Sequence, residues 1–117
     1  MSQEAFTVLS AINITMPPNI ATSGNDQRLL PIAIDEIARL EPEALYAEYP
    51  TSSTSYDEGF TPVTFAQFAN AINGVAWLLV NELGQGRNHE TVAYIGASDL
   101  RYMVMAMGAV KAGFKVC

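Results

Sequence analysis

From Gly59 to Asn81 the chain carries no charged side chain, and within that run apolar residues return at helical spacing. Phe65, Phe68, Ala69, Ile72, Val75, Ala76, Leu79 and Leu83 fall on one stripe of a helix. Thr64-Phe65-Ala66-Gln67 opens it as a capping box, in which the hydroxyl and the amide each satisfy the other's backbone N–H, and Gly84 stops it. Trp77 and Leu78 widen the apolar surface, so this helix is expected to be covered on more than one side. Gly74 lowers helix propensity and allows close packing. Pro62, Gln67, Asn70 and Asn73 argue against a membrane span, and the strongly apolar part, Val75 to Val80, is far too short for one. A helix of this kind needs a core to enter.

The rest of the second half supplies that core in an α/β pattern. Phe60–Thr64 is an extended approach to the helix, and Thr91–Ile95 is a short apolar strand. Ser98-Asp99 opens a second helix, which Gly113 closes before Phe114-Lys115-Val116 begins another strand. Strand, helix and strand in that order make a βαβ unit with parallel strands and a right-handed crossover. In its helix Leu100, Met103, Val104, Met107 and Val110 are expected to face one way, with Met105 and Ala106 broadening the face. Lys111, in the last turn, suits the helix dipole.

Upstream, Pro31 fits a first helical position. Ile34, Ile37 and Ala38 share a face, Asp35, Glu36 and Arg39 lie outside it, and Pro42 ends the helix soon after Leu40. Leu45–Tyr49 reads as a short strand and 50–59 as a polar loop. Ala5 to Met16 is moderately apolar without a firm period, and Pro17-Pro18 and Ser23-Gly24-Asn25-Asp26 are loop signals. Residues 1–28 are therefore expected to be a partly disordered preamble, and 29–117 the structured part. The fold class is α/β: a partial subdomain with a βαβ unit of parallel strands and an incomplete sheet.

A chain of 117 residues is one domain or a piece of one. Half of it is hydrophobic and only 15% is charged, which is apolar for a small free-standing domain. A segment of a larger domain has this composition because part of its surface meets other parts of the chain. The net charge of −6 is uneven: residues 1–59 hold nine acids and two bases, −7, and residues 60–117 three acids and four bases, +1. No basic patch with interleaved aromatics exists, so nucleic acid binding has little support. Cys117 is the sole cysteine, which rules out an intrachain disulfide and fits a reducing compartment. The N-terminus lacks a basic region and carries Glu4, which argues against a secretory signal, and a cytoplasmic location is expected. Asn13-Ile14-Thr15 is a glycosylation sequon that carries little weight without secretion.

Several stretches invite a chemical reading, and a bland one competes with each. Thr51-Ser52-Ser53-Thr54-Ser55 could be taken for a phosphate-cradling loop, but it lacks glycine and a nearby lysine, and Asp57 and Glu58 would repel phosphate. A solvated linker is the better reading, with Asp57 and Glu58 a solvated pair rather than an acid–base couple. Gly84-Gln85-Gly86 follows a helix rather than a strand, the wrong order for a dinucleotide fingerprint, and His89 stands at its third glycine position. His89 has no second histidine or cysteine near it in sequence, so it reads as a surface loop residue and not a metal ligand. Met103, Met105 and Met107 could line a soft ligand surface, yet their spacing inside an apolar helix favours core packing. No catalytic, cofactor-binding or metal-binding residue is assigned.

Thr64-Phe65-Ala66-Gln67-Phe68-Ala69, then Val92-Ala93-Tyr94-Ile95, then Gly108-Ala109-Val110-Lys111-Ala112-Gly113 together resemble the opening of an adenylate-forming, AMP-binding domain. That superfamily includes acyl-CoA synthetases, luciferases and the adenylation domains of non-ribosomal peptide synthetases (NRPS). Leu29-Leu30-Pro31, Ile34-Asp35, Gln67 to Asn73 with Trp77, and Ala93-Tyr94-Ile95-Gly96 with Asp99-Leu100-Arg101-Tyr102 look most like fungal NRPS-like carboxylic acid reductases. Those are built of adenylation, carrier and reductase domains. The resemblance covers about residues 29–116. It implies activation of a carboxylic acid by MgATP to an acyl-adenylate, and passage of the acyl group to a carrier or CoA thiol. In the family the phosphate loop with its lysine, the acid pocket, the ribose-binding aspartate and the catalytic lysine all lie downstream of the matched segment. Lys111 and Lys115 correspond to scaffold positions, and no catalytic residue is carried over.

The resemblance thus implies MgATP for the complete domain and no cofactor for this chain. The implied partners are the remainder of an adenylation domain, with carrier and reductase domains beyond it, and neither nucleic acid nor membrane. The leading expectation is an inactive scaffold fragment, cut short by gene truncation or an early-ending gene model. The alternatives are a non-catalytic fragment that docks onto a full-length relative through helix Phe65–Leu83, and a small independent α/β binding domain.

Overall fold

A computed structural model describes residues 29–117; the expected preamble, 1–28, lies outside the described residues. The elements in order are α1 (Leu30–Leu40), β1 (Leu45–Pro50), β2 (Phe60–Thr64), α2 (Phe65–Leu83), β3 (Thr91–Val92), α3 (Leu100–Lys111) and β4 (Lys115–Val116). Among the described residues they form two separate two-stranded sheets, β1–β2 antiparallel and β3–β4 parallel, packed with three helices. The class is the expected α/β, with an incomplete sheet.

The antiparallel pair was not legible as a pair. Leu45 faces Thr64 and Pro50 faces Phe60, with an irregularity between Leu45 and Ala47. The connecting loop is closed by the Thr51 N–H donating to the Gly59 carbonyl at 3.0 Å and by a 2.9 Å bond between the Thr51 and Thr61 hydroxyls. Gly59 takes φ 78° there, a left-handed conformation that costs a residue with a Cβ. Tyr46 of β1 lies flat on Phe68 of α2, ring centroids 3.7 Å apart and planes 8° from parallel, and meets Phe65 edge-on at 5.4 Å. That aromatic contact joins the hairpin to the helix.

In α2 the capping box is present: the Gln67 N–H donates to Thr64 Oγ1 at 3.2 Å and the Thr64 N–H to Gln67 Oε1 at 3.0 Å. Replacing Thr64 by alanine should cost about 1 kcal/mol, the usual effect of losing an N-cap; a urea midpoint unchanged from wild type would refute it. Phe68, Ala69, Ile72, Val75, Ala76 and Leu79 are buried as expected. The stripe stops there, one turn short of the helix end, and Leu83 is 60% exposed. Leu78 is 55% exposed as well, but Ala71 to Ala76 are all buried, so the middle of α2 is covered on more than one side as expected and only its last turns are open.

Asp99 caps α3 by accepting from the Arg101 N–H at 2.9 Å. At the other end Phe114 N–H donates to the Ala109 carbonyl at 2.9 Å and Gly113 N–H to the Val110 carbonyl at 3.0 Å. This is a Schellman motif, with Gly113 at φ 93° in the left-handed position that glycine fills without strain. The deep face of α3 is the expected one only in part. Val104 and Ala106 are buried as expected, but so are Gly108, Ala109 and Lys111, while Leu100, Met103, Met107 and Val110 are only half-buried. The cause is the close approach of α2: a Cβ on Gly108 would lie 2.5 Å from Val75 Cγ1 and 3.1 Å from the Ile72 carbonyl oxygen. Small residues at that crossing let the helices meet, and the methionines fill in around it.

The βαβ unit is formed, with Thr91 facing Lys115 and Val92 facing Val116. The expected strand Thr91–Ile95 is shorter, ending at Val92. The last cross-strand bond, Tyr94 N–H to the Cys117 carbonyl, is long at 3.4 Å. Tyr94 then turns its hydroxyl onto the Ala97 carbonyl at 3.0 Å, and Ile95 is 96% exposed. The loop before β3 is pinned where Gly86 crosses Gly113: the Gly86 N–H donates to the Ala112 carbonyl at 3.0 Å, and a Cβ on either glycine would collide with the other's backbone.

α1 starts one residue earlier than expected, at Leu30, with Pro31 in its first turn. Ile34 is 5% exposed, but Ile37 is 39% exposed rather than sharing its burial. Asp35, expected to lie outside, is turned toward α3.

Candidate functional site

The N-terminus of α3 faces the tip of the β1–β2 hairpin across an open cleft of about 720 Å³. One wall is Tyr49 and the loop from Ser52 to Tyr56; the other is Asp99, Leu100 and Arg101. The hairpin brings the Ser/Thr run to this place, although sequence alone read it as a linker.

The polar groups of the cleft are largely satisfied by one another. Ser52 and Thr54 hydroxyls are 3.2 Å apart, the Thr54 N–H donates to Ser52 Oγ at 3.3 Å, and the Asp57 N–H donates to Ser55 Oγ at 3.1 Å. Arg101 grips Asp99 in a two-pronged pair, Nε to Oδ1 at 2.9 Å and Nη2 to Oδ2 at 2.5 Å. The guanidinium holds the Asp99 carboxyl below the usual aspartate range, and the carboxylate raises the arginine in turn. The cleft wall therefore presents a neutralised ion pair and internally bonded hydroxyls. It can seat a polar group by hydrogen bonding, but its one guanidinium is committed to Asp99.

The other sequence candidates are scattered. His89 is exposed at φ 55° in the loop before β3, and Asp57 and Glu58 are exposed beyond the cleft. Gly84 caps α2, and Gly86 serves the chain crossing rather than a nucleotide. Met103, Met105 and Met107 pack against the core. Lys115 and the Cys117 thiol are exposed. Among the described residues no group of three or more His, Cys, Asp or Glu is placed to hold a metal ion, and no helix is long and apolar enough to cross a membrane.

Sequence reasoning missed the most unusual polar cluster. The Lys111 side chain is 0% exposed, and its ammonium donates to Asp35 Oδ2 of α1 and Asn73 Oδ1 of α2. Burial pushes the lysine pKa below its ordinary value, and the Asp35 bond raises it part of the way back. The signal was available. Lys111 falls seven residues after Val104 and three after Gly108, and Asn73 lies between Ala69 and Ala76, both core-facing positions.

Comparison with known proteins gives this small α/β unit its relatives. The chain is 38% identical over 96 residues, 82% of its length, to the Isocyanide synthase-NRPS hybrid crmA of Aspergillus fumigatus. It is 42% identical over 91 residues, 76% of its length, to the Carboxylic acid reductase of Neurospora crassa. It spans 6% and 9% of the lengths of those two proteins. Its homologues are thus fungal NRPS-like proteins far longer than itself. No family model and no solved structure matches the chain.

Proposed function

We propose that the chain is a scaffold segment, residues 29–117, of an adenylate-forming domain, and that it does not itself catalyse adenylation. The observation that carries the reading is the similarity over four-fifths of this chain to proteins of which it spans less than a tenth. The exposed surface supports it. A parallel sheet is ordinarily covered on both faces, whereas the β3–β4 pair has no further strand beside it among the described residues, and Ile95, Leu78 and Leu83 are exposed. These are surfaces that further chain would cover.

In this reading the complete domain activates a carboxylic acid with MgATP and hands the acyl group to a carrier or CoA thiol, and a reductase domain follows where the relative is a carboxylic acid reductase. The cleft described above does not suit a triphosphate: its loop has no glycine to turn backbone N–H groups inward, and Arg101 is engaged by Asp99. MgATP would be held elsewhere in such a domain, with this segment supporting the sheet. A cytoplasmic location belongs to the same proposal.

ATP–pyrophosphate exchange tests it. The 117-residue chain is expected to give none with any carboxylic acid. A chimaera in which residues 29–117 replace the matching stretch of the Neurospora crassa reductase is expected to retain exchange. Turnover by the chain alone, or a soluble chimaera without exchange, overturns the reading.

A further inference from the structure

α1 sits on the other two helices with its less apolar side inward. Its buried residues are Pro31 and Ile34, while Leu30, Ile37 and Leu40 are 56%, 39% and 61% exposed. On the helix surface those three form one stripe, and Pro31, Ile34, Asp35 and Ala38 form the next. Turning α1 by roughly a third of a revolution would bring the leucines and Ile37 to the core. Within this chain, burial of the larger apolar stripe would favour that other rotation, so it does not select the one observed. Asp35 does. In this rotation its carboxylate meets the Lys111 ammonium, which has no exposure to solvent and is bonded to Asn73 on α2 as well. A third of a turn would carry the carboxylate away and leave a buried cation without its counter-charge, a severe cost.

We propose that the Asp35–Lys111–Asn73 cluster is an orientation lock for α1, which fixes the helix in the rotation that leaves Leu30, Ile37 and Leu40 on the surface. Each helix supplies one member, so rotation or sliding of any of them breaks the cluster. Buried polar groups act as register devices when every member is satisfied, and among the described residues no buried side-chain nitrogen or oxygen lacks a partner. The lock accounts for an arrangement that apolar packing alone would not choose.

Hydrogen exchange read by mass spectrometry on the full chain tests it, comparing wild type with Lys111→Met and Asp35→Asn. Lys111→Met keeps the bulk of the side chain and removes the charge. In it the amides from Ala33 to Leu40 are expected to exchange at least about tenfold faster, while those of α2 from Phe68 to Ala76 stay within about twofold of wild type, as a local opening requires. Asp35→Asn retains the shape and one acceptor and should fall between. Unchanged exchange in α1 in both variants overturns the lock. An equal acceleration of α1 and α2 also overturns it, because the cluster would then serve only overall stability.

Discussion

Replacing Phe68 by alanine is expected to lower the stability of the folded chain by about 3–5 kcal/mol, the range for removing a buried phenylalanine. Phe68 is 0% exposed, so its whole ring contributes to burial. The same ring carries the flat contact with Tyr46, and an aromatic pair adds about 0.5–1.5 kcal/mol beyond area. The cavity would open between β1 and α2, where backbone ladders on one side and the capped helix on the other limit collapse, which favours the upper part of the range. Small domains have about 5–15 kcal/mol in total, so the variant loses a large share. Urea unfolding followed by Trp77 emission measures it. Phe68→Leu preserves most of the volume and should cost less than about half as much. A Phe68→Ala loss no greater than that of Thr64→Ala would show that the hairpin is not seated on α2 as described.

What could be read from the sequence was whatever one segment decides for itself. The α2 boundaries follow from a hydroxyl three residues before an amide and a glycine at the end, all local chemistry. The α3 caps and the parallel pairing of β3 and β4 follow from the order of Asp99, Gly113 and the flanking apolar runs. Pairwise facts escaped. Nothing in Leu45–Pro50 announces that Phe60–Thr64 is its antiparallel partner, because Pro62 and the long polar loop mask a hairpin. The expected face of α3 holds at Val104 and Ala106 but not at the larger Leu100, Met103 and Met107, because Gly108, with no side chain, lets α2 approach and turns the helix toward it. Asp35 was placed outside on its charge alone, and Lys111 was given to the dipole. Lys111 and Asn73 sit at core-facing spacings, but Asp35 is an acceptable surface residue singly, and only the meeting of three helices joins the three into one cluster. The cleft shows the same limit: the Ser/Thr run was judged without the Asp99–Arg101 pair that the fold sets opposite it.

Asp35→Ala is expected to be comparably damaging at neutral pH, by about 3–5 kcal/mol, because it leaves the buried Lys111 ammonium without its half-buried counter-charge. Asn73 continues to accept from Lys111, which favours the lower part of the range. The loss should depend on pH in a direction fixed by the lysine. Burial already sets the folded pKa of Lys111 below the ordinary 10.5, with the Asp35 bond acting against that shift; without Asp35 it falls further. The unfolded chain then holds the proton more tightly than the folded one. The penalty is fully present below the folded pKa and is relieved as pH rises from there toward 10.5. The gap in stability between wild type and Asp35→Ala should therefore narrow as the solution becomes alkaline, since the stranded ammonium can shed its proton. The triple replacement of Asp35 and Asn73 by leucine and Lys111 by methionine removes every buried polar member. It is expected to be neutral or up to about 1–4 kcal/mol more stable than wild type, as apolar substitutes for buried ion pairs often are. Urea midpoints for the three chains across neutral to alkaline pH decide the matter. A gap that stays constant with pH, or widens, would mean that the cost of losing Asp35 is not the cost of a stranded buried charge.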